Sequence, residues 1–195
     1  MAINKDLFIN ILSQCESGDI LLCRGPFISI CISGFKLMYY PEIWAKGKYT
    51  HAGLFDKERF IKGDYYCILS ASNKVKGFKK NFWSLFGEVG YESISKWLNE
   101  DLISIYRING YSQSSGTACI SYLQPYIGKS FYFTDINKFE SFYCSKLIVL
   151  AWNSQGVQFE VSDSLTQRLF MPFIKYYTPN IISTSKSIKK IYELY

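Results

Sequence analysis

The sequence is poor in the residues and motifs from which metal and cofactor sites are built. It has one histidine among 195 residues, and its six cysteines show no Cys-x-x-Cys spacing, which argues against a structural zinc site. It also lacks a Walker loop, a dinucleotide fingerprint and a His-Glu-x-x-His motif. We therefore expect neither a metal nor a cofactor.

Repeats, coiled coils and low-complexity tracts are absent as well. Residues 1–14 place apolar side chains at helical spacing, but the run is too short and too interrupted for a signal peptide or a membrane span. We expect no transmembrane segment, and a protein that is cytoplasmic or exported without a classical signal peptide. With no internal linker and 48% hydrophobic residues, the chain is expected to form one domain, 1–195.

Acidic residues are fewer than basic ones: 22 Lys and Arg against 16 Asp and Glu give 22 − 16 = +6. A surplus of this size favours contact with an anionic surface, such as cell-wall material or phospholipid headgroups. Part of it lies in a basic cluster at 74–83, which predicts a solvated loop because no recognisable nucleic-acid module surrounds it. We expect no specific nucleic-acid partner.

What the sequence does contain is a thiol at the predicted start of a buried helix. Residues 142–152 combine Cys144 with a broad apolar face, and the polar residues 153–156 end the helix. A first-turn thiol faces unpaired backbone N–H groups and the positive end of the helix dipole, and both favour thiolate. The alternative is that Cys144 is simply a small buried hydrophobe.

The one histidine also lies in a pattern that is typical of a site. Residues 49–55 are a short apolar run of strand-forming residues bounded by charged segments, and period two places His51 on one face with Gly53 and Phe55. His51 alone could equally be a core histidine. Together with Cys144 it supplies the parts of a nucleophilic site, in which imidazole takes the thiol proton and later protonates the leaving group.

A third candidate is Ser70, on the strand expected to follow. If 49–55 and 65–71 form a hairpin, residues whose numbers sum to about 120 lie opposite one another, which places His51 near Leu69 or Ser70. A serine oxygen can accept the imidazole N–H. Ser72, Asn73 or a backbone carbonyl remain alternatives for orienting the ring.

Other segments predict the remaining elements. Strands are expected at 19–23, 102–107 and 157–161, and helices at 93–99 and 112–126. The apolar stretch 27–40 is expected either to cover the cleft or to form a core helix. The basic residues from 186 to the end predict a short helix or a tail.

Four short motifs then suggest a family, and they follow one another in the order Gly18–Leu22, Thr50–Leu54, Ile127–Lys129 and Tyr143–Leu147. Together they resemble the circularly permuted NlpC/P60 family of papain-like cysteine hydrolases, YiiX-like proteins included, in which histidine precedes cysteine. The resemblance spans roughly 17–157 and leaves 158–195 as a C-terminal extension. It implies an α+β fold with an antiparallel sheet packed against helices, and Cys144 at a helix start facing His51.

Three positions depart from the family pattern. Lys146 stands where members often carry Glu, and Phe131 follows Gly-Lys where an acidic residue is common. The polar third residue, commonly Glu or His, matches Ser70, which carries no charge to stabilise imidazolium.

The resemblance implies acyl transfer to Cys144 through a thioester, with the oxyanion held by the Cys144 N–H and one further donor, for which Tyr143 is a candidate. It predicts an enzyme, an amidase or peptidase acting on small peptides such as peptidoglycan fragments. Relatives similar to lecithin:retinol acyltransferase act on lipid esters, so a lipid acyltransferase or phospholipase is the alternative. A second alternative is a binding or effector module that kept the fold and lost efficient catalysis.

Overall fold

The computed structural model describes residues 3–24, 29–32, 35–38, 48–73, 75–77, 87–131, 142–159 and 177–195. Within these ranges the helices are α1 (Lys5–Gln14), α2 (Lys57–Ile61), α3 (Ile94–Trp97), α4 (Gln113–Leu123), α5 (Cys144–Asn153) and α6 (Pro179–Thr184). The strands are β1 (Ile20–Arg24), β2 (Ser29–Ile32), β3 (Phe35–Met38), β4 (His51–Phe55), β5 (Tyr66–Ser72), β6 (Glu88–Ser93), β7 (Leu102–Ile108) and β8 (Ile188–Leu194).

Six of these strands form one antiparallel sheet in the order β6-β5-β4-β1-β7-β8. Successive residues of a strand point to opposite faces, so neighbours in β1 enter different cores. Leu22 packs in a core with Leu147 of α5, whereas Leu21 packs in a second core with Phe8 of α1. Helices therefore cover both faces of the sheet, as expected for the α+β class predicted from the sequence.

The elements near the middle of the chain follow the predicted pattern closely. The segment 1–14 contains α1, the hairpin 49–71 contains β4 and β5 with α2 between them, and the helices at 93–99 and 112–126 correspond to α3 and α4. The side chain of Asp56 caps α2 by accepting from the amide of Arg59. Local spacing was sufficient to predict these elements except α2, which was not expected from the sequence.

A turn of two small residues fixes α4 against the sheet. A Cβ on Gly116 would lie 1.7 Å from the carbonyl oxygen of Ser17, so only glycine allows this contact of two backbones. The indole of Trp152 in α5 donates to the carbonyl of Gly18 at 3.2 Å. The turn before β1 therefore holds both helices that pack on this face.

The C-terminal residues form a strand rather than the helix or tail expected from their basic character. β8 pairs with β7, with Ile188 opposite Ile108 and Leu194 opposite Ile103. The ends of β8 are buried while Lys189 is exposed, a pattern that suits an edge strand. The prediction at 157–161 was also wrong for its described part, because 157–159 contain no strand.

Two other expectations concern segments that are partly described. Within 27–40, β2 and β3 pair as an antiparallel two-stranded sheet, so the alternative of a core helix is wrong for these residues. The rest of that stretch lies outside the described residues, as does most of the basic cluster 74–83. None of the helices that the structure describes is long and apolar enough to cross a bilayer.

Candidate active site

Cys144 is the first residue of α5, where the sequence pattern predicted it. The preceding Tyr143 has an extended backbone and is the N-cap, and α5 packs nearly all of its length against the sheet and its neighbouring helices. Because the first N–H groups of a helix have no acceptor within the helix, the thiol lies at its positive end. Cys144 is buried, with 7% of the residue surface exposed.

His51 is the first residue of β4 and lies opposite Cys23 of β1 in the sheet register. Its ring packs on the indole of Trp97 in α3, with 5.5 Å between ring centroids and a 37° angle between planes. The side chain keeps 16% exposure. Strand pairing on one side and an aromatic ring on another therefore restrict where the imidazole can point.

His51 lies beside Cys144 and acts on the pKa of its thiol. Burial by itself raises the pKa of the Cys144 thiol, but the hydrogen bond to His51, the charge of His51 and contacts from Ser145 and the Ala52 backbone outweigh it, so the pKa lies below its ordinary value. The Ser145 hydroxyl is 3.8 Å from the sulfur. The arrangement favours thiolate over thiol at Cys144.

The pKa values of three other cysteines shift in the opposite direction. Burial raises the pKa of Cys15, Cys67 and Cys119 to about 12. Each of the cysteines with a described side chain is buried and forms no disulfide. Cys144 differs from these three in having an imidazole beside it, and its sulfur is therefore the reactive one among them.

The structure adds a carboxylate that sequence reasoning missed. Glu92 of β6 is fully buried, and both of its oxygens lie 3.2 Å from Nε2 of His51. Burial lowers the pKa of His51, but the charge of Glu92 and the hydrogen bonds to Cys144 and Glu92 raise it well above its ordinary value. Glu92 therefore lies at Nε2 of the ring.

Two donors hold the Glu92 carboxylate in place. The indole Nε1 of Trp97 donates to Oε2 at 2.7 Å, and the hydroxyl of Ser72 donates to Oε1. With His51 these donors satisfy a charge that would be costly to bury alone. Trp97 thus contacts both the ring and the carboxylate, so one side chain fixes two members of the site.

Ser70 also lies beside the imidazole. Its hydroxyl donates to the carbonyl of Ala52 at 2.7 Å, and its oxygen is 3.2 Å from Nε2 of His51. Because its single proton goes to Ala52, the serine oxygen faces the ring as an acceptor. Ser70 and Glu92 therefore converge on the same ring nitrogen.

The register that brings these groups together differs from the expected one. β4 and β5 pair with Leu54 opposite Leu69, a sum of 123 rather than about 120, because α2 and its turns occupy more of the connection than expected. In this register His51 shares a sheet face with Ser70 and with Ser72. His51 nevertheless lies near Ser70, as expected, with 3.2 Å between Nε2 and the serine oxygen.

Glu92 was missed because β6 was not predicted as a strand. The segment 88–93 carries two glutamates and a glycine, which obscures its alternation, and its pairing to β5 is set only in three dimensions. One signal was available: Glu92 follows the strand-forming residues Val89 to Tyr91, where an acidic side chain stands out.

Two further positions named from the sequence have structural contacts. The hydroxyl of Tyr143 accepts a hydrogen bond from the backbone amide of Tyr177 at 2.9 Å. Lys146 is fully buried, and its ammonium lies 5.5 Å from the ring centroid of Phe142. Both side chains contribute to the packing at the start of α5.

Among the residues that the structure describes, no group of three His, Cys, Asp or Glu side chains is placed to hold a metal ion. Nε2 of the imidazole faces Glu92, and Cys144 also acts on the pKa of the ring. The site has the parts of a thiol, imidazole and carboxylate series.

Comparison with known proteins gives a structural match without a sequence match. No protein-family model and no curated protein matches the chain. The crystal structure of metalloprotein yiiX from Escherichia coli O157:H7 is similar to it, with a TM-score of 0.61 and 13% identity, over 92% of this chain and 97% of that one. At this identity the likeness concerns the fold. The chain therefore has a papain-like α+β fold, which confirms the fold class predicted from the sequence.

Proposed function

We propose that this protein is a cysteine hydrolase in which Cys144 is the nucleophile and His51 is the general acid and base. Glu92 orients His51 and stabilises its protonated form. The observation that carries the proposal is the position of His51 between a thiol with a lowered pKa and a buried carboxylate. Catalytic thiols need such an electropositive environment, whereas thiols that serve only packing do not.

In the first half of the reaction the Cys144 thiolate attacks the carbonyl carbon of the substrate. The bond from sulfur to carbon forms, and the carbonyl electrons move to oxygen. The His51 imidazolium then donates its proton to the leaving amine as the carbon–nitrogen bond breaks, which leaves a thioester on Cys144 and a neutral His51.

In the second half neutral His51 takes a proton from water while the oxygen of that water attacks the thioester. The carbon–sulfur bond breaks, the acid product leaves, and the thiolate and imidazolium are restored. Glu92 supports both halves, since its charge favours the imidazolium that is present in the first attack and is formed again in the second.

The oxyanion is proposed to accept a hydrogen bond from the backbone N–H of Cys144. This amide is at the first position of α5, where N–H groups lack an acceptor within the helix and point along the dipole. Ser70 is proposed as a supporting residue, because its oxygen meets Nε2 and its proton fixes the Ala52 carbonyl next to His51.

We propose an amide bond in a small peptide, of the peptidoglycan type, as the substrate. A lipid ester is the second candidate, favoured by the apolar stretch 27–40 and by a net charge of +6 that suits anionic headgroups.

The case for a catalytically weak binding module rested largely on the uncharged Ser70, and Glu92 removes that reason because it supplies the missing charge. The similar yiiX protein is called a metalloprotein, but the described residues here offer no three-ligand set, and no step is assigned to a metal.

We also propose that the family-like core 17–157 and the extension 158–195 act as one domain, because β8 completes the sheet beside β7.

The substrate class is tested by two assays run side by side: release of amines from a peptide library, and release of fatty acid from phospholipid vesicles. The proposal predicts amine release that disappears in Cys144→Ala and persists in Cys119→Ala, a matched change at another buried cysteine. Fatty acid release with the same dependence would favour the lipid candidate. An activity that survives Cys144→Ala in both assays would refute the proposal.

A further inference from the structure

The strand that carries His51 is held at its start by a side chain from the C-terminal part of the chain. Oδ1 of Asn180 accepts the backbone N–H of Tyr49 at 2.9 Å, and Nδ2 of Asn180 donates to the backbone carbonyl of Tyr49 at 2.9 Å. One amide side chain thus satisfies both backbone groups of one residue, as a neighbouring strand would. His51 follows two positions later.

The ring of Tyr49 is fixed as well. Its hydroxyl lies 2.9 Å from the Ser104 hydroxyl and 2.8 Å from the Tyr106 hydroxyl, in the core beside β7. The next amide, that of Thr50, donates to the carbonyl of Cys23 at 2.8 Å. The approach to His51 is therefore anchored on its backbone by Asn180 and on its side chain by β7.

The same C-terminal segment also reaches the helix that carries the thiol. The backbone amide of Tyr177 donates to the hydroxyl of Tyr143, and Tyr143 is the N-cap residue directly before Cys144. Tyr177 and Tyr143 are both buried. This contact joins the C-terminal segment to the start of α5.

The two contacts are only three positions apart, at Tyr177 and Asn180, and the backbone between them is stiff. Pro179 fixes its own φ at the start of α6, and the side chain of Thr178 caps the helix by accepting the amide of Ile181 at 3.2 Å. Residues 177–180, here called the C-terminal clamp, therefore connect the strand of His51 and the helix of Cys144 through a short and rigid link.

We infer that the C-terminal clamp sets the distance and orientation of His51 relative to Cys144, and that Asn180 is a positioning residue for the reaction. The inference rests on the proposed function and deepens it. Neither Asn180 nor Tyr177 is assigned contact with substrate. The clamp fixes one residue shortly before each reacting side chain. Its loss therefore allows the thiol and the imidazole to move apart.

The test is the pH dependence of Cys144 alkylation by iodoacetamide, measured in the full chain at pH 6 and at pH 10. At pH 6 the rate depends on the imidazolium beside the thiolate, whereas at pH 10 it depends mainly on access to the sulfur. Asn180→Ala is expected to lower the ratio of the two rates by about tenfold, which corresponds to one pKa unit. Thr184→Ala, which removes a hydroxyl from the same helix away from Tyr49, is expected to leave the ratio unchanged.

Asn180→Asp is the second variant, because it keeps the shape and the acceptor for the Tyr49 amide but faces the Tyr49 carbonyl with a carboxylate oxygen. It is expected to lower the ratio in the same direction, and it keeps the inference testable if Asn180→Ala does not fold. Melting temperatures measured alongside separate loss of stability from a change in pH profile.

An unchanged ratio in both Asn180 variants, with wild-type Cys144 fast at pH 6, would overturn the clamp and leave the Cys-His pair intact. An equal loss of rate at both pH values would also overturn it, because only access or folding would then have changed. A slow wild-type Cys144 at pH 6 would instead remove the pair itself, and the clamp with it.

Discussion

His51 contacts a thiol and a carboxylate, and both contacts favour its protonated ring. Burial works against the imidazolium, yet Glu92 and Cys144 together raise the pKa of His51. The same contact lowers the pKa of Cys144. These two shifts favour a thiolate–imidazolium ion pair, with Glu92 as the negative charge behind it.

Glu92→Gln removes that fixed charge while keeping the shape. The imidazolium is lost as pH rises through the pKa of His51, so a lower pKa moves the alkaline limb of the pH–rate profile to lower pH. We expect kcat/KM to fall by roughly a hundredfold, with the alkaline limb shifted, as measured on the peptide substrate. Glu88→Gln, in the same strand, is the control. A wild-type profile in Glu92→Gln would exclude Glu92 from the site.

Ser70→Ala tests the residue named from the sequence. It removes one hydrogen bond to the Ala52 carbonyl and one neutral contact to His51, but no charge. We expect kcat/KM to fall by about three- to tenfold, corresponding to roughly 1 kcal/mol for one hydrogen bond, with both limbs of the pH profile in place. A loss as large as that of Glu92→Gln would make Ser70 the principal partner of the ring.

At this scale the sequence was informative where the signal is local. Cys144 lies at a helix start and His51 in a short apolar strand, as expected. The contact of Glu92 to His51 could not be predicted, because it passes across β5 and depends on the register of three strands.

Among the elements, β4 and α3 lie close together because Gly53 of β4 has no side chain. A Cβ at Gly53 would lie 2.6 Å from Cγ2 of Ile68 and 3.1 Å from the ring of Trp97. The missing side chain at Gly53 leaves room for the indole that holds Glu92.

Gly53→Ala is therefore expected to damage the site through its neighbours. The added methyl has to displace Ile68 or Trp97, at a cost of about 1 to 3 kcal/mol in the free energy of unfolding. Displacing Trp97 also loosens Glu92, so Cys144 alkylation at pH 6 is expected to slow. Urea denaturation and alkylation measure the two effects, with Ser95→Ala on the exposed side of α3 as control. Wild-type stability in Gly53→Ala would contradict this packing.

Elements were predicted well where one segment carries its own pattern, as in α1 and α5. β8 was missed because its lysines, Lys189 and Lys190, suggested a solvated tail. Its strand conformation comes from the free edge of β7, which offers backbone partners to any segment that can reach it. Such pairing is a property of two segments and is not encoded in either alone.

Across the whole molecule, side-chain contacts of β8 join the C-terminal strand to the segment before His51. Glu193 contacts Lys48 and accepts from Lys190 at 2.9 Å and from the Ser104 hydroxyl at 2.8 Å. These partners lower the pKa of Glu193. A single carboxylate thus joins β8, β7 and the segment that leads into β4.

Glu193→Gln is expected to reduce the free energy of unfolding by about 1 kcal/mol at pH 7, a modest value because the pairs are partly exposed. Since the folded-state pKa is lowered, the stabilisation is complete above the unfolded pKa of Glu and is lost as pH falls below it. Urea denaturation is expected to show a smaller difference between variant and wild type at pH 3 than at pH 7. An equal difference at both values would show that the charge of Glu193 does not contribute.

Alkylation by iodoacetamide at pH 6 tests whether Cys144 and His51 form a reactive pair. Mass spectrometry then shows which of the six cysteines has reacted. An ordinary thiol, with a pKa of about 8.5, is almost wholly protonated at that pH and reacts slowly. We predict that Cys144 alone reacts quickly in the wild type and becomes slow in His51→Ala. A Cys144 no faster than the other cysteines, or equally fast without His51, would contradict the account.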